Sequence, residues 1–302
     1  MVGIRVRVRT PGYPAAPRVS RWRHVTKSSY IPAMKRLTSA VLGPRGARLA
    51  RGLKQWQRAP EVLSCMAQLR EWPKVALAYL GLRQPGYPFT VHFRNGDQVH
   101  VETYHDLVTT WVIFFRGEYL VDSNSKVIVD AGANIGAFAL YAARKAPASV
   151  IHALEPFPST RDRLLQTIGS NGLGDRVTVH PIGLSGEDST RFMDDNGPSQ
   201  SRGTAVSGPG VAVSTQTLEH FLRDAGLDAV DLLKVDIEGG EHEVFAETNA
   251  DTLRGVRRLA LEYHPGGSSR SLFAKLEAAG FRCAHDERVA DDSGVADFVR
   301  TN

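Results

Sequence analysis

Acidic side chains recur in this chain where apolar runs stop. Asp130 closes VIVD, Glu155 follows VIHAL, Asp236 and Glu238 follow DLLKV, and Glu262 and His264 follow RLAL. Ser185 stands just beyond another apolar run, in Gly183-Leu184-Ser185. Carboxylates accept hydrogen bonds from hydroxyls and hold cationic groups, and a carboxylate or imidazole beside a hydroxyl can take its proton. Such acids also serve as helix caps, a role open to Glu238 and Glu241. Four successive run ends carrying polar groups are harder to explain by capping, and we read them as a site.

The elements that must position these groups alternate between strand and helix. Residues 127–130 read as a first strand and 137–145 as a helix, joined by a small-residue loop carrying Gly132, Asn134 and Gly136. A second strand (150–154) and a helix (159–170) follow. Then come a third strand (177–181), a surface loop rich in Gly, Ser and Pro (194–210) and a helix (217–225). A fourth, apolar strand (230–236), a helix from 241, a fifth strand (258–262) and a helix (271–279) complete the alternation. Residues 281–284 and 295–299 read as an antiparallel closing hairpin. Repeated strand–helix units build a mostly parallel sheet covered on both faces, and ligands on such sheets sit beyond the strands' carboxyl ends. Ahead of this body, 61–82 has helical apolar spacing broken at Pro73, and 89–102 reads as a hairpin about Asn95-Gly96, matching a type I′ turn. Asp106 is placed to cap a helix over 107–115.

The glycines fit GxNxG, not the GxGxxG that cradles a dinucleotide pyrophosphate. Glu155, 23 residues after Gly132, is placed to accept from both hydroxyls of an adenosine ribose. An acid before the glycine loop and another ending the next strand suit a nucleoside with a cationic tail and no phosphate, a description S-adenosylmethionine meets. The cofactor-binding set is then Asp130, Gly132, Asn134, Gly136, Glu155, Pro156 and Ser185. Tyr141 and Lys145 have the YxxxK spacing of short-chain dehydrogenases, but they lie directly after the glycine loop and are read as coincidence.

Six segments are similar to the FkbM family of S-adenosylmethionine-dependent methyltransferases: VDAGANIGAFAL (129–140), ALEPFP (153–158), GLS (183–185), QTLEHFL (216–222), LLKVDIEGGE (232–241) and LEYHP (261–265). FFRGEYL (114–120) also fits that family's lead-in, and LKVDIEGGE is the most specific part. The resemblance runs from about residue 89 to 265. It implies a class I methyltransferase (Rossmann-like) fold and methylation of a hydroxyl on a sugar, glycan or polyketide-like acceptor. A hydroxyl is a poor nucleophile until its proton is taken, so a base is needed. Asp236 is the first choice for that base or for orienting the acceptor, His264 the second, with Glu238 beside them. Asp236, Glu238, Glu262 and His264 could also gather around one divalent ion, Mg²⁺ by their oxygen donors or, with His264, Mn²⁺ or Zn²⁺, lowering the hydroxyl's pKa directly.

Charge divides the chain. Residues 1–60 hold 14 Lys/Arg and no Asp/Glu, whereas the other 242 hold 32 acidic and 23 basic residues. The organisation read from this is a basic, disordered leader (1–33), a helical segment (34–85) and a methyltransferase domain with its hairpin lead-in (86–302). The leader lacks the apolar core of a secretory signal; beside a solvated extension, its charge suits peripheral contact with an anionic membrane or nucleic acid, and its Arg-rich, acid-free composition resembles a transit peptide. No apolar run is long enough to span a membrane. Cys65 and Cys283 are far apart and read as reduced thiols, in keeping with a cytoplasmic protein. Two rival readings are an RNA methyltransferase, which the acidic body disfavours because it offers no basic nucleic-acid surface, and a non-catalytic binding protein on the same scaffold. The sequence leaves acceptor identity and oligomeric state open.

Overall fold

The computed structural model describes residues 58–83, 85–193, 204–205 and 210–301. The leader 1–33, residues 34–57 and most of the 194–210 loop lie outside the described residues. Helices α1 (Ala59–Gln68) and α2 (Trp72–Tyr79) divide where expected, with Pro73 in the first turn of α2, where a missing N–H costs nothing. Strands β1 (Phe89–His92) and β2 (Gln98–Val101) form the hairpin. Its turn is not type I′, because Gly96 has positive φ and Asn95 does not. Phe93 N–H donates to Asp97 O at 2.8 Å, which leaves a three-residue loop with glycine at the left-handed position.

Helix α3 (Tyr104–Trp111) starts earlier than expected. Thr103 is its N-cap, accepting from Asp106 N–H at 3.2 Å, and Asp106 Oδ2 accepts from Thr103 N–H at 2.8 Å. Asp106 is therefore the third residue of a capping box rather than the cap itself. A π turn (Val112–Arg116) ends at Gly117 and leads the chain to Glu118 and Tyr119.

The central sheet contains β3 (Val127–Ala131), β4 (Val150–Leu154), β5 (Val177–His180), β10 (Leu232–Val235), β11 (Arg258–Tyr263), β12 (Phe281–Ala290) and β13 (Ser293–Arg300). Its order is β12-β13-β11-β10-β3-β4-β5, with β13 antiparallel to both of its neighbours and the remaining pairs parallel. The connections are α4 (Ala137–Lys145), α5 (Pro158–Ser170), α6 (Leu218–Asp224), α7 (Glu241–Glu247), α8 (Ala250–Arg254) and α9 (Ser269–Ala278). This is the mostly parallel α/β arrangement of a class I methyltransferase, closed by the expected antiparallel hairpin.

A second sheet was not foreseen. Strands β6 (Ile182–Leu184), β7 (Ser189–Met193), β8 (Thr204–Ala205) and β9 (Val211–Gln216) pair in the order β6-β9-β7-β8, so the stretch read as loop contains a short strand.

Side-chain alternation sends successive residues of each strand to opposite faces. Ile128 and Ile151 join one core with α1–α5, the hairpin and Tyr119, whereas Val129, Leu154, Leu233 and Leu261 join the other with α6–α9. The helices before the hairpin thus share a core with the sheet. Tyr141 packs edge-on against Phe114 in the first core, which accounts for the YxxxK pair structurally. Among the described residues no helix is long and apolar enough to cross a membrane.

Candidate active site

The carboxyl ends of β3 and β10 approach so closely that glycine is required between them. Gly132 has φ +78°, and a Cβ there would lie 1.8 Å from the backbone oxygen of Asp236. At Gly136 a Cβ would meet Leu164 Cδ1 at 2.6 Å. The sequence attributed these glycines to ligand approach; here they let the loop fit against a neighbouring strand end and against α5. Gly132 also lines the cleft beyond the strands, whereas Gly136 does not.

That cleft has a volume of about 190 Å³ and is bordered by Gly132, Asn134, Glu155, Pro156, Ser185, Asp236 and Glu238 from the predicted set. Glu155 is nearly buried. Its Oε2 accepts from Asn134 N–H and its Oε1 from Phe157 N–H, each at 3.0 Å, which fixes the glycine loop to the end of β4. The Ser185 hydroxyl donates to Glu187 O at 2.9 Å and accepts from Glu187 N–H at 3.2 Å, so it holds its own turn. Arg191, which the sequence did not single out, borders the cleft and pairs with Glu243, tying β7 to α7. A second hollow, about 310 Å³, opens near Arg223, Asp228 and Asp251, away from all of these residues.

Asp130 lies beneath the loop, fully buried. In register across the sheet stands Lys234, 3% exposed, with Nζ 3.2 Å from Asp130 Oδ1 and 3.5 Å from Asp236 Oδ2. The ammonium also donates to Gly132 O at 2.8 Å and rests among the rings of Tyr119 and Phe138. Burial works to strip its proton, but the charges of Asp130 and Asp236 outweigh that and hold its pKa above the ordinary lysine value. Burial likewise pushes the Asp130 carboxyl up, and Lys234 pulls it back. The strand was read as apolar, yet a lysine at its centre is the signal that was missed: a buried ammonium requires partners.

Beyond Asp236 the site becomes crowded with acids. Asp236, Glu262 and His264 each offer a donor atom, all within 4.8 Å of one another. His264 Nδ1 pairs with Glu241 Oε1 at 3.1 Å, and its Nε2 lies 3.4 Å from Glu238 Oε2 and 3.9 Å from Glu262 Oε1. Glu241 is fully buried and accepts from the N–H groups of Ile237 and Gly239, so it holds the loop before α7 and anchors the imidazole together. Burial acts to raise its pKa, but the His264 hydrogen bond and charge leave it lowered. His264 is shifted up: burial opposes its charge, and Glu241, Glu238 and Glu262 more than compensate. Glu262 is raised by burial and by the charges of Asp236 and Glu118. Glu238, held at φ +58°, is pushed up to about 7, chiefly by burial and then by Asp236.

Tyr119, 3% exposed, donates its hydroxyl to Glu262 Oε2 at 3.1 Å. Neither Tyr119 nor Glu118 was singled out from the sequence, because only the fold brings the lead-in segment over β10 and β11. A second histidine, His180, closes β5. His180 stacks on His152, with Nδ1 of His152 3.0 Å from Nε2 of His180, against Phe221.

A family model described as the methyltransferase FkbM domain matches residues 130–283. The chain is 32% identical over 193 residues to Methyltransferase sdnD of Sordaria araneosa, covering 53% of this chain and 74% of that one. It is 34% identical over 221 residues to Methyltransferase 1 of Beauveria bassiana, covering 65% and 87%. To the 31-O-demethyl-FK506 methyltransferase FkbM of Streptomyces tacrolimicus it is 24% identical over 232 residues, covering 66% and 88%.

Proposed function

This chain belongs to the FkbM methyltransferase domain family, and from that premise we propose that it is an S-adenosylmethionine-dependent O-methyltransferase of a small hydroxylated molecule, a sugar, glycan or polyketide-like compound. The observation that carries the reading is the junction at Asp236. This residue borders the cleft on one side and belongs to the carboxylate–imidazole cluster on the other. In this reading residues 86–302 form the catalytic unit.

The residues present fit the cofactor. Asp130 is fully buried and does not line the cleft; it pairs with Lys234, which donates to Gly132 O and so supports the loop that does. Glu155 borders the cleft at the end of β4, on the side proposed for the ribose, and Pro156, Phe157, Leu184 and Ile237 supply apolar walls for an adenine. When bound, the cofactor supplies a methyl group on a sulfonium. Asp236 takes the proton of the acceptor hydroxyl, whose oxygen forms the new C–O bond as the S–C bond breaks and its electron pair stays on sulfur. His264, carrying a proton through its carboxylate neighbours, serves as a donor that orients the acceptor, and Asp236 is the base. The Streptomyces tacrolimicus relative is a 31-O-demethyl-FK506 methyltransferase, a name that specifies an oxygen acceptor for that protein and supports the hydroxyl chemistry here.

The acceptor end presents the carboxyl groups of Asp236, Glu238 and Glu262 as hydrogen-bonding groups rather than a basic surface for a phosphodiester chain, which favours a neutral polyol over RNA. The test is incubation with S-adenosylmethionine carrying a labelled methyl group and a panel of glycosides, polyketide lactones and RNA. Label on an oxygen of a small acceptor is the expected result. Label on RNA, or on nitrogen alone, would overturn the reading.

A further inference from the structure

We propose that Asp236, Glu262 and His264 form a binding site for one divalent cation at the acceptor end of the cleft. This deepens the methyl-transfer reading and rests on it for the cation's use, though not for its binding. The donor set is two carboxylates and an imidazole, with the three donor atoms within 4.8 Å of one another. Oxygen-rich donors with one imidazole suit Mg²⁺ or Mn²⁺, and three protein donors leave about three positions of an octahedron for water and acceptor hydroxyls.

Proximity alone would not distinguish such a site from a cluster of acids. What distinguishes it is that each donor is fixed by a separate buried partner outside the trio. Lys234 pairs with Oδ2 of Asp236 at 3.5 Å, and the Tyr119 hydroxyl donates to Oε2 of Glu262 at 3.1 Å. Glu241 pairs with Nδ1 of His264 at 3.1 Å, and is itself held by backbone N–H groups. Lys234, Tyr119 and Glu241 are all at least nine-tenths buried. Each of these partners occupies one polar atom of its ligand, and Nε2 of His264 faces Oε2 of Glu238 at 3.4 Å and Oε1 of Glu262 at 3.9 Å. A carboxylate on the far nitrogen of a ligating histidine is the arrangement that fixes ring orientation at metal centres.

A cation here would bind adjacent hydroxyls of the acceptor and make one of them more acidic beside Asp236. An acceptor with two neighbouring oxygens would therefore be preferred to a lone alcohol.

The experiment is calorimetric titration of the chelator-treated, full-length protein with MnCl₂, followed by electron paramagnetic resonance of the bound Mn²⁺. Glu262→Gln and His264→Ala are measured beside the wild type, and S-adenosylhomocysteine is titrated into each protein separately. The expected result is one Mn²⁺ per chain in the wild type and binding weakened about tenfold or more in both variants, with S-adenosylhomocysteine affinity unchanged. Absence of saturable Mn²⁺ binding, or Mn²⁺ affinity unaffected by both substitutions, would overturn the inference. Loss of S-adenosylhomocysteine binding in the wild type would count against the methyl-transfer reading, and the Mn²⁺ result would still decide the cation site.

Discussion

The two halves of the cleft are built by different means. On the β3–β4 side the backbone does the positioning: Glu155 is clasped by the N–H groups of Asn134 and Phe157, and the strand ends close over Gly132. On the β10–β11 side the positioning is done by charged side chains. Glu238 and Glu262 are pushed toward neutrality, His264 toward the charged form, and Lys234 binds the two halves together. A backbone cradle suits a ligand that is always the same, since it is rigid and unaffected by pH. A crowd of coupled charges suits proton removal, because such groups change state when a substrate or cation arrives.

Substitutions can break or sharpen this contrast. The largest effect is expected at the connection between the halves: Lys234→Met would leave Asp130 buried and unpaired, costing roughly 3–5 kcal/mol. Denaturant unfolding measures it, and a loss below about 1 kcal/mol would remove Lys234 from the account. Asp236→Asn belongs to the acceptor half alone, so turnover should fall about 10²–10⁴-fold while S-adenosylhomocysteine affinity holds. Equal losses in both would merge the halves. Gly132→Ala acts through the backbone side, where an added Cβ cannot avoid the Asp236 oxygen. A cost of about 1–3 kcal/mol is expected, with weaker cofactor binding.

The smallest effect concerns pH. Glu238 titrates in the fold at about 7 against an ordinary 4.5, so the native state binds that proton more tightly than the unfolded chain. Its contribution to stability is full below about pH 4.5 and is lost as the pH rises through 7. Glu238→Gln should flatten that part of the stability–pH curve by about 1 kcal/mol, allowing for its partial exposure. Thermal unfolding of both proteins between pH 4 and 8 would show it, and parallel curves would speak against the assignment.

Much of the scaffold could be read from the sequence because its signals are local. VIVDA, AFALYAARK and VIHAL each carry their own periodicity and punctuation, and their strands and helix fall within a residue of expectation. The small second sheet could not be read, since its strands are two to six residues long and two of them flank a loop-like composition. Asp106 was mistaken for a cap because its carboxylate does bind N–H groups at the helix start, but from the third position. The acids at the strand ends were legible as a set. Their partners were not: Tyr119 lies 143 positions from Glu262, and Lys234 pairs with Asp130 only once two parallel strands align.

The measurement that tests the central claim most directly is calorimetric titration of the full-length protein with S-adenosylhomocysteine, repeated with NAD. The account expects one saturable site of micromolar affinity for the first and no binding of the second, with the Glu155→Ala variant weakening the first. Binding of NAD, or no binding of S-adenosylhomocysteine with Mn²⁺ either present or absent, would contradict it.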